Sequence, residues 1–226
     1  MGYTSDTTVA EVDALLDEQR VELLAAVGTD PATWATPSLC AGWTVRDVVS
    51  HLLMPYEMSK LTFVQRMLRF KGSFDRVAND WVERDQRTPA ELRAGLERTA
   101  TTKFNVPGSP TEAPLSHLLI HSEDIYRPLE HARRHDPRSL TLTLDQLTSP
   151  EVRGAMLPGL LDGISLRATD VDWTGGAADG AVVDGPAISL LSALCGRPAP
   201  LQDLTGPGRA RLLSRFAASD GASATA

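Results

Sequence analysis

The stretch of sequence that decides the fold surrounds the first histidine and reads Leu39-Cys40-Ala41-Gly42-Trp43-Thr44-Val45-Arg46-Asp47-Val48-Val49-Ser50-His51-Leu52. Thr44 followed three residues later by Asp47 is typical of a helix N-terminus, where the acidic side chain returns to cap the first turn. The helix that begins here is predicted to run to about Phe70. A kink is expected at Pro55, because proline has no N–H group to donate to the carbonyl of His51.

Further helices are predicted on both sides of this stretch. Apolar residues at helical spacing favour a helix over residues 9–27. Capping and proline patterns predict helices over 73–84, from 88 to about 101, and over 112–133. The last of these carries Pro128, which is expected to kink it or end it early.

The pattern changes after residue 135. Residues 140–144 alternate leucine with threonine and are interpreted as a short strand or an extended linker, and 150–161 as a helix. Short strands are predicted over 164–169 and 181–183 with turns over 172–180 between them, followed by helices over 186–194 and 208–216. The predicted fold class is therefore α+β: a helical bundle over residues 1–136, a small α/β domain over 137–216, and a disordered tail over 217–226.

Composition excludes several classes of protein. The 226 residues carry a net charge of -7, which argues against a nucleic-acid partner, since such a surface needs clustered Lys and Arg. No run of about 18 apolar residues is present, and the N-terminus lacks a signal peptide, so no membrane partner is expected. The only two cysteines, Cys40 and Cys195, lie far apart in the sequence and do not suggest a disulfide framework. A reducing cytoplasm is the expected location.

The five histidines suggest a metal site. His117 and His121 are four residues apart on one predicted helix, so both rings lie on the same face and can share one ion. His51, on another helix, is the candidate for the third ligand, and three protein ligands leave the open position that is typical of a catalytic zinc site. The alternative is a set of core histidines bonded to backbone groups. His131 and His135 have the same spacing but are interpreted as cations at a helix end.

Other side chains near these histidines in sequence have two possible roles each. Asp124, three residues after His121, and Asp47, four before His51, are candidates to orient the ligating rings, although Asp47 equally suits a capping role. Cys40 precedes a helix N-terminus and is either a nucleophile or a packing residue in its loop, with no histidine nearby in sequence.

The stretch from Leu39 to Leu52 closely resembles the signature of the mycothiol-dependent maleylpyruvate isomerase family, which belongs to the DinB-like metalloenzyme superfamily. Residues 114–129 resemble the family's second metal segment, and residues 166–173, 185–187, 195–197 and 204–208 are similar to its C-terminal domain. The resemblance covers about residues 8 to 216.

This resemblance implies a DinB-like four-helix-type bundle with a metal in its core and a small sterol-carrier-like domain after it. The family's first and last metal histidines fall on His51 and His121. The middle ligand is a glutamate in the isomerase, and His117 stands at that position. The exchange leaves the site one charge unit more positive. It therefore argues against the isomerase reaction itself more than against metal binding.

Together with the histidine pattern, the resemblance implies a metal-dependent enzyme that uses mycothiol or a similar low-molecular-weight thiol for isomerisation or S-transfer on a small electrophile. Zinc is the expected divalent metal and nickel the alternative, while a catalytic residue and the thiol-binding residues are not identified. Arg84 and Arg215 are hypothetical partners for a carboxylated substrate. The alternatives are a hydrolase of thiol conjugates, a non-catalytic metal- or thiol-binding module, and a bundle that has lost its metal. The protein is expected to be a monomer or a homodimer.

Overall fold

A computed structural model describes residues 7–99, 110–132, 135–149 and 159–223 of the chain. The N-terminal part is helical and a small three-stranded sheet follows near the C-terminus, as the predicted α+β class requires. The helices are α1 (Val9–Val27), α2 (Pro31–Ala35), α3 (Val45–Glu57), α4 (Lys60–Arg69), α5 (Phe74–Arg84), α6 (Pro89–Thr99), α7 (Ala113–Tyr126), α8 (Pro137–Thr148), α9 (Ala187–Leu194) and α10 (Arg209–Ser223). The strands are β1 (Ile164–Ala168), β2 (Thr174–Gly176) and β3 (Ala181–Gly185), and a short 3-10 helix spans Ala199–Asp203. Among the residues described, no helix combines the length and apolarity that crossing a membrane requires.

The chain divides into two compact units. The helical unit comprises Asp13–Ser109 and His121–Arg133, and the sheet unit comprises Met1–Val12, Pro110–Ile120 and Arg134–Ala226. Helix α7 is continuous across the division, so its own backbone fixes the spacing of the residues it carries. The domain boundaries expected at residues 136 and 216 stay predictions about which parts fold independently.

Helix α3 is the central element of the helical unit. Its inward face is fully buried and packs against α5 and α6. Each of these partners presents an apolar stripe at helical spacing, including Val77 and Val82 on α5 and Leu92 and Leu96 on α6. This packing holds α3 rigidly and so fixes the position of His51, which lies on the same buried face.

The start of α3 is confirmed and its predicted length is wrong. The Asp47 carboxylate accepts hydrogen bonds from the Thr44 N–H at 2.9 Å and from the Thr44 hydroxyl at 2.8 Å, which makes Asp47 a capping residue. The helix ends at Glu57 instead of bending at Pro55, and Met58 adopts an extended conformation. Ser59 then caps a separate helix, α4, by accepting from the Thr62 N–H at 3.1 Å. The capping serine was the signal for a break.

One further helix was not predicted, and one predicted helix end is confirmed. A loop was predicted over Pro31–Ala35, where the structure has helix α2. Asp30 caps this helix by accepting from the Ala32 N–H at 3.0 Å, and Pro31 occupies the first helical position. Helix α7 ends at Tyr126, before Pro128, which confirms the early end that this proline predicts.

The sheet unit is built around β1. Strand β2 pairs with β1 antiparallel and β3 pairs with it parallel, giving the order β2-β1-β3. Strands β1 and β3 confirm the two strands predicted over 164–169 and 181–183. The glycine-rich β2 lies inside the segment predicted as turns. The last helix extends to Ser223, beyond its predicted end at Phe216.

The strand or linker predicted over residues 140–144 is wrong. These residues lie in α8, which Asp136 caps by accepting from the Arg138 N–H at 2.8 Å, with Pro137 at the first helical position. Leu140, Leu144 and Leu147 are buried in the core of the sheet unit, because a spacing of four and three places them on one helix face. The leucine–threonine alternation covers only residues 140–144, which is too short a segment to reveal the helical spacing. The helix predicted over 150–161 falls largely outside the described residues.

Candidate metal centre

Helices α3 and α7 bring two of the predicted ligands together within the helical unit. His51 is only 3% exposed, and its ring centroid lies 4.7 Å from that of His121, with the planes 78° apart. The two residues are seventy positions apart in sequence, so only the packing of the helices joins them. This confirms that the pair is close in space.

His117 completes a three-histidine cluster because it lies one turn before His121 on the continuous helix α7. One ring nitrogen from each of His51, His117 and His121 lies within 4.8 Å of the other two. We call this set the histidine cluster. All three donors are imidazoles, the ligand type that suits zinc and several other divalent transition metals.

A second group of potential ligands shares His121. The Asp124 Oδ2 atom lies 2.9 Å from His121 Nδ1 and accepts a hydrogen bond from the Cys40 thiol at 3.0 Å. Cys40, His121 and Asp124 together satisfy the same distance criterion for a metal site. The sequence places no histidine near Cys40, but the structure puts its Sγ atom 3.9 Å from His121 Nδ1. The Leu39 N–H, bonded to the Asp124 carbonyl at 3.1 Å, fixes this loop against α7.

His131 belongs to neither group of potential ligands. Its Nε2 atom lies 2.6 Å from Glu22 Oε1, and its ring contacts Tyr126 with centroids 5.2 Å apart. Within the described part of the chain, His135 is likewise outside both groups. The four-residue spacing of His131 and His135 therefore does not correspond to a potential metal site among the described residues.

Aromatic rings surround His51 on the helical unit. The Trp43 ring centroid lies 5.2 Å from that of His51, and the Phe74 centroid lies 6.2 Å away in an edge-on arrangement. These distances are typical of aromatic contacts. The sequence contained no signal for Phe74, because it lies on another helix, 23 positions from His51.

A charged network next to His51 holds α3 in place. The Ser50 hydroxyl donates to Asp85 Oδ2 at 2.5 Å, and Arg87 donates to the same carboxylate at 2.6 Å. Burial by itself would raise the pKa of Asp85, but the hydrogen bonds from Arg87 and Ser50 outweigh it and lower the pKa to about 2. Arg46 donates to the backbone carbonyls of Asp85 and Arg87. The network borders a polar cleft of about 720 Å³ that Trp43 also lines.

The two arginines considered for a carboxylated substrate are bonded elsewhere. Arg84 is 59% exposed and pairs with Asp80 at 2.8 Å. In the sheet unit, Arg215 donates to the backbone carbonyls of Leu160 and Asp162. Each arginine therefore has a structural role within its own unit, which is the alternative to substrate binding.

Comparison with known proteins adds independent information. Residues 15–104 match the family model described as "Mycothiol maleylpyruvate isomerase N-terminal domain". A crystal structure of a histidine-to-alanine mutant of the mycothiol-dependent maleylpyruvate isomerase is similar, with a TM-score of 0.60 and 16% identity over 91% of this chain and 96% of that chain. A second crystal structure of the mycothiol-dependent maleylpyruvate isomerase aligns over the same shares with a TM-score of 0.48 and 15% identity. No curated protein matches the chain.

The structural likeness at a TM-score of 0.60 confirms the fold, and it extends over most of both chains. The family model matches a segment that begins in α1, ends after α6 and includes His51. The stretch from Leu39 to Leu52, on which the resemblance was based, lies inside that segment. Residues 15–104 of this chain therefore match the mycothiol maleylpyruvate isomerase N-terminal domain, the family that the sequence resemblance indicates.

Proposed function

We propose that the chain binds one divalent metal ion through His51, His117 and His121 and uses a low-molecular-weight thiol, mycothiol or a close analogue, for isomerisation of a small electrophile or for S-transfer of the thiol onto it. The observation that carries the proposal is the convergence of three imidazole nitrogens from two helices within 4.8 Å of one another. The comparisons support the thiol, since the matched family and the similar structures are described as mycothiol-dependent.

The donor set fits a zinc ion. Nitrogen ligands lie about 2.0–2.1 Å from zinc, so two of them in a tetrahedral site are roughly 3.3 Å apart. The separations of up to 4.8 Å in the histidine cluster are wider by at most roughly 1.5 Å, which small side-chain rotations close. Three protein ligands leave one coordination position for a thiol or a substrate atom.

Asp124 supports the choice of ligating atom on His121. A carboxylate that accepts the proton of one ring nitrogen fixes the tautomer and leaves the other nitrogen as the ligand. With His121 Nδ1 2.9 Å from Asp124 Oδ2, the ligating atom of His121 is Nε2. Asp124 is 1% exposed, so its carboxylate is shielded from bulk solvent.

The chemistry of the centre follows from its charge. His51, His117 and His121 would hold the ion as neutral imidazoles, and the ion would supply Lewis-acid chemistry that favours the thiolate form of a thiol at this centre. With His117 in place of a carboxylate ligand, the protein supplies no negative charge to the histidine cluster itself. The Cys40 thiol donates to Asp124 and lies near Nδ1 of His121, the ring nitrogen that is not the proposed ligand. Action in a reducing cytoplasm is part of the proposal.

The proposal is tested by elemental mass spectrometry on protein purified without a metal-affinity tag. We expect about one equivalent of metal in the natural protein, and its loss in His51→Ala, His117→Ala and His121→Ala. The matched control is His131→Ala, which removes a histidine bonded to Glu22 and should leave the metal content unchanged. The metal-loaded protein is then assayed with mycothiol and a panel of electrophiles.

Two results would contradict parts of the proposal. Absence of metal, together with no uptake of added zinc or nickel, would leave a non-catalytic module as the better description. Metal binding without any thiol-dependent turnover, but with hydrolysis of thiol conjugates, would assign the centre to a hydrolase instead.

A further inference from the structure

We infer that the electrophile presents an apolar, preferentially aromatic, group to a wall formed by Trp43, Phe74 and Phe63 beside His51. The inference rests on the proposed function, because it names the class of the second substrate at the same centre. The three side chains, which we call the aromatic wall, come from the loop before α3, from α5 and from α4, all within the helical unit.

The rings of the aromatic wall are continuous with the ring of His51. Trp43 lies against His51 with an interplanar angle of 53°, and Phe74 meets it edge-on at 75°. Phe63 extends the row, with its centroid 6.4 Å from that of Phe74. A group placed against Phe74 is therefore within one ring's width of a proposed metal ligand.

Part of this wall is open to solvent. Phe74, the first residue of α5, is 44% exposed although its ring contacts the buried His51. Helix α4, which supplies Phe63, contains no buried residue. An apolar group of the substrate that covers this accessible aromatic surface removes two apolar surfaces from water. The hydrophobic effect therefore favours binding of such a group beside the histidine cluster.

Three arginines on neighbouring elements, Arg46, Arg66 and Arg84, already bind carboxylates within the helical unit. Arg46 pairs with Asp47 at 3.0 Å and also holds backbone carbonyls. Arg66 on α4 binds Asp80 at 2.5 Å, and Arg84 binds the same carboxylate. A substrate carboxylate that binds any of these three arginines would have to displace its partner, whereas an aryl group against the aromatic wall needs no such exchange.

The test measures ligand binding rather than turnover. Saturation-transfer NMR and titration are carried out with 4-phenyl-3-buten-2-one as an uncharged aryl electrophile and with maleate as a dicarboxylate, on the metal-free and the zinc-loaded protein. We expect the aryl compound to bind both forms through its ring. Phe74→Asp should raise its Kd by roughly fivefold or more, because it removes a ring contact and adds a charge.

Two further variants keep the outcome interpretable. Phe74→Tyr retains the ring and should bind as the natural protein does. Val21→Asp, on α1, places the same charge at a residue that is 70% exposed and should leave the Kd unchanged. Unfolding transitions of all variants report whether a loss of binding reflects loss of structure.

The failure of this inference is distinguishable from failure of the proposed function. Thiol-dependent turnover that prefers maleate, with no effect of Phe74→Asp on binding of the aryl compound, would overturn the inference and leave the proposed function intact. Aryl binding at Phe74 in a protein that takes up no metal would contradict the proposed function alone.

Discussion

The Nδ1 atom of His121 lies 2.9 Å from the Oδ2 atom of Asp124, one helical turn further along α7. Asp124 is almost completely buried and also accepts the Cys40 thiol at 3.0 Å. This hydrogen bond gives His121 a fixed ring orientation without the help of a bound ion. The hydrogen bond therefore orients the other ring nitrogen of His121, the proposed ligand atom, before any ion binds.

Asp124→Asn is expected to weaken metal binding by about 10- to 100-fold, the usual effect of losing a carboxylate that orients a ligating histidine. The measurement is a competition titration with a zinc chelator. Asp75→Asn, at an exposed carboxylate in the first turn of α5, is the control and should have no effect. An unchanged affinity in Asp124→Asn would show that the ring of His121 is oriented by other contacts.

Cys40→Ser separates the two groups of potential ligands. If the histidine cluster holds the ion, the serine variant keeps about one equivalent of metal and His117→Ala loses it. If Cys40, His121 and Asp124 hold the ion, the result is reversed, since a serine hydroxyl is a far weaker ligand than a thiolate. Elemental analysis of the two variants, prepared in parallel, decides between them.

The sequence predicted the histidine ligands better than their surroundings. His117 and His121 are four residues apart on one helix, so local periodicity alone places them together. His51 joins them only through the packing of α3, so the sequence could offer it only as the candidate third ligand, a role that the family resemblance also implies. Cys40 and Phe74 could not be placed, because they come from a loop and a separate helix whose positions depend on long-range contacts.

The folded state is expected to lose stability in acid through Asp85. Its pKa is lowered from 3.8 to about 2 by hydrogen bonds from Arg87 and Ser50, which outweigh its burial. A carboxylate whose pKa is lowered by folding stabilises the folded state at pH values above its ordinary pKa. This contribution is lost as the pH falls from about 4 through 2. A shift of nearly two units corresponds to about 2 kcal/mol. Urea unfolding at pH 6 and pH 2.5 measures the loss.

Asp85→Asn is the matching variant. It removes the carboxylate and should lower the free energy of unfolding at pH 6 by about 2 kcal/mol, leaving a shallower pH dependence. Asp80→Asn tests another paired carboxylate, which binds Arg66 and Arg84 on the surface side of α5 and should cost less. Equal pH profiles for Asp85→Asn and the natural protein would show that the charged network does not stabilise the fold.

Gly176→Ala is expected to destabilise the sheet unit more than Gly196→Ala. Both glycines have positive φ angles, +84° and +77°, so an added side chain costs roughly 1–2 kcal/mol of backbone strain at either position. At Gly176, paired with Ser165 across β1 and β2, a Cβ atom would also lie 2.5 Å from the Ile164 carbonyl oxygen. At Gly196 the described part of the chain places no non-neighbouring atom within 4 Å of an added Cβ. Because a backbone oxygen cannot move aside as a flexible side chain does, the sheet must shift, at a further cost of about 1–3 kcal/mol. Chemical unfolding of both variants measures the difference, and equal losses would mean that β2 is free to move away from β1.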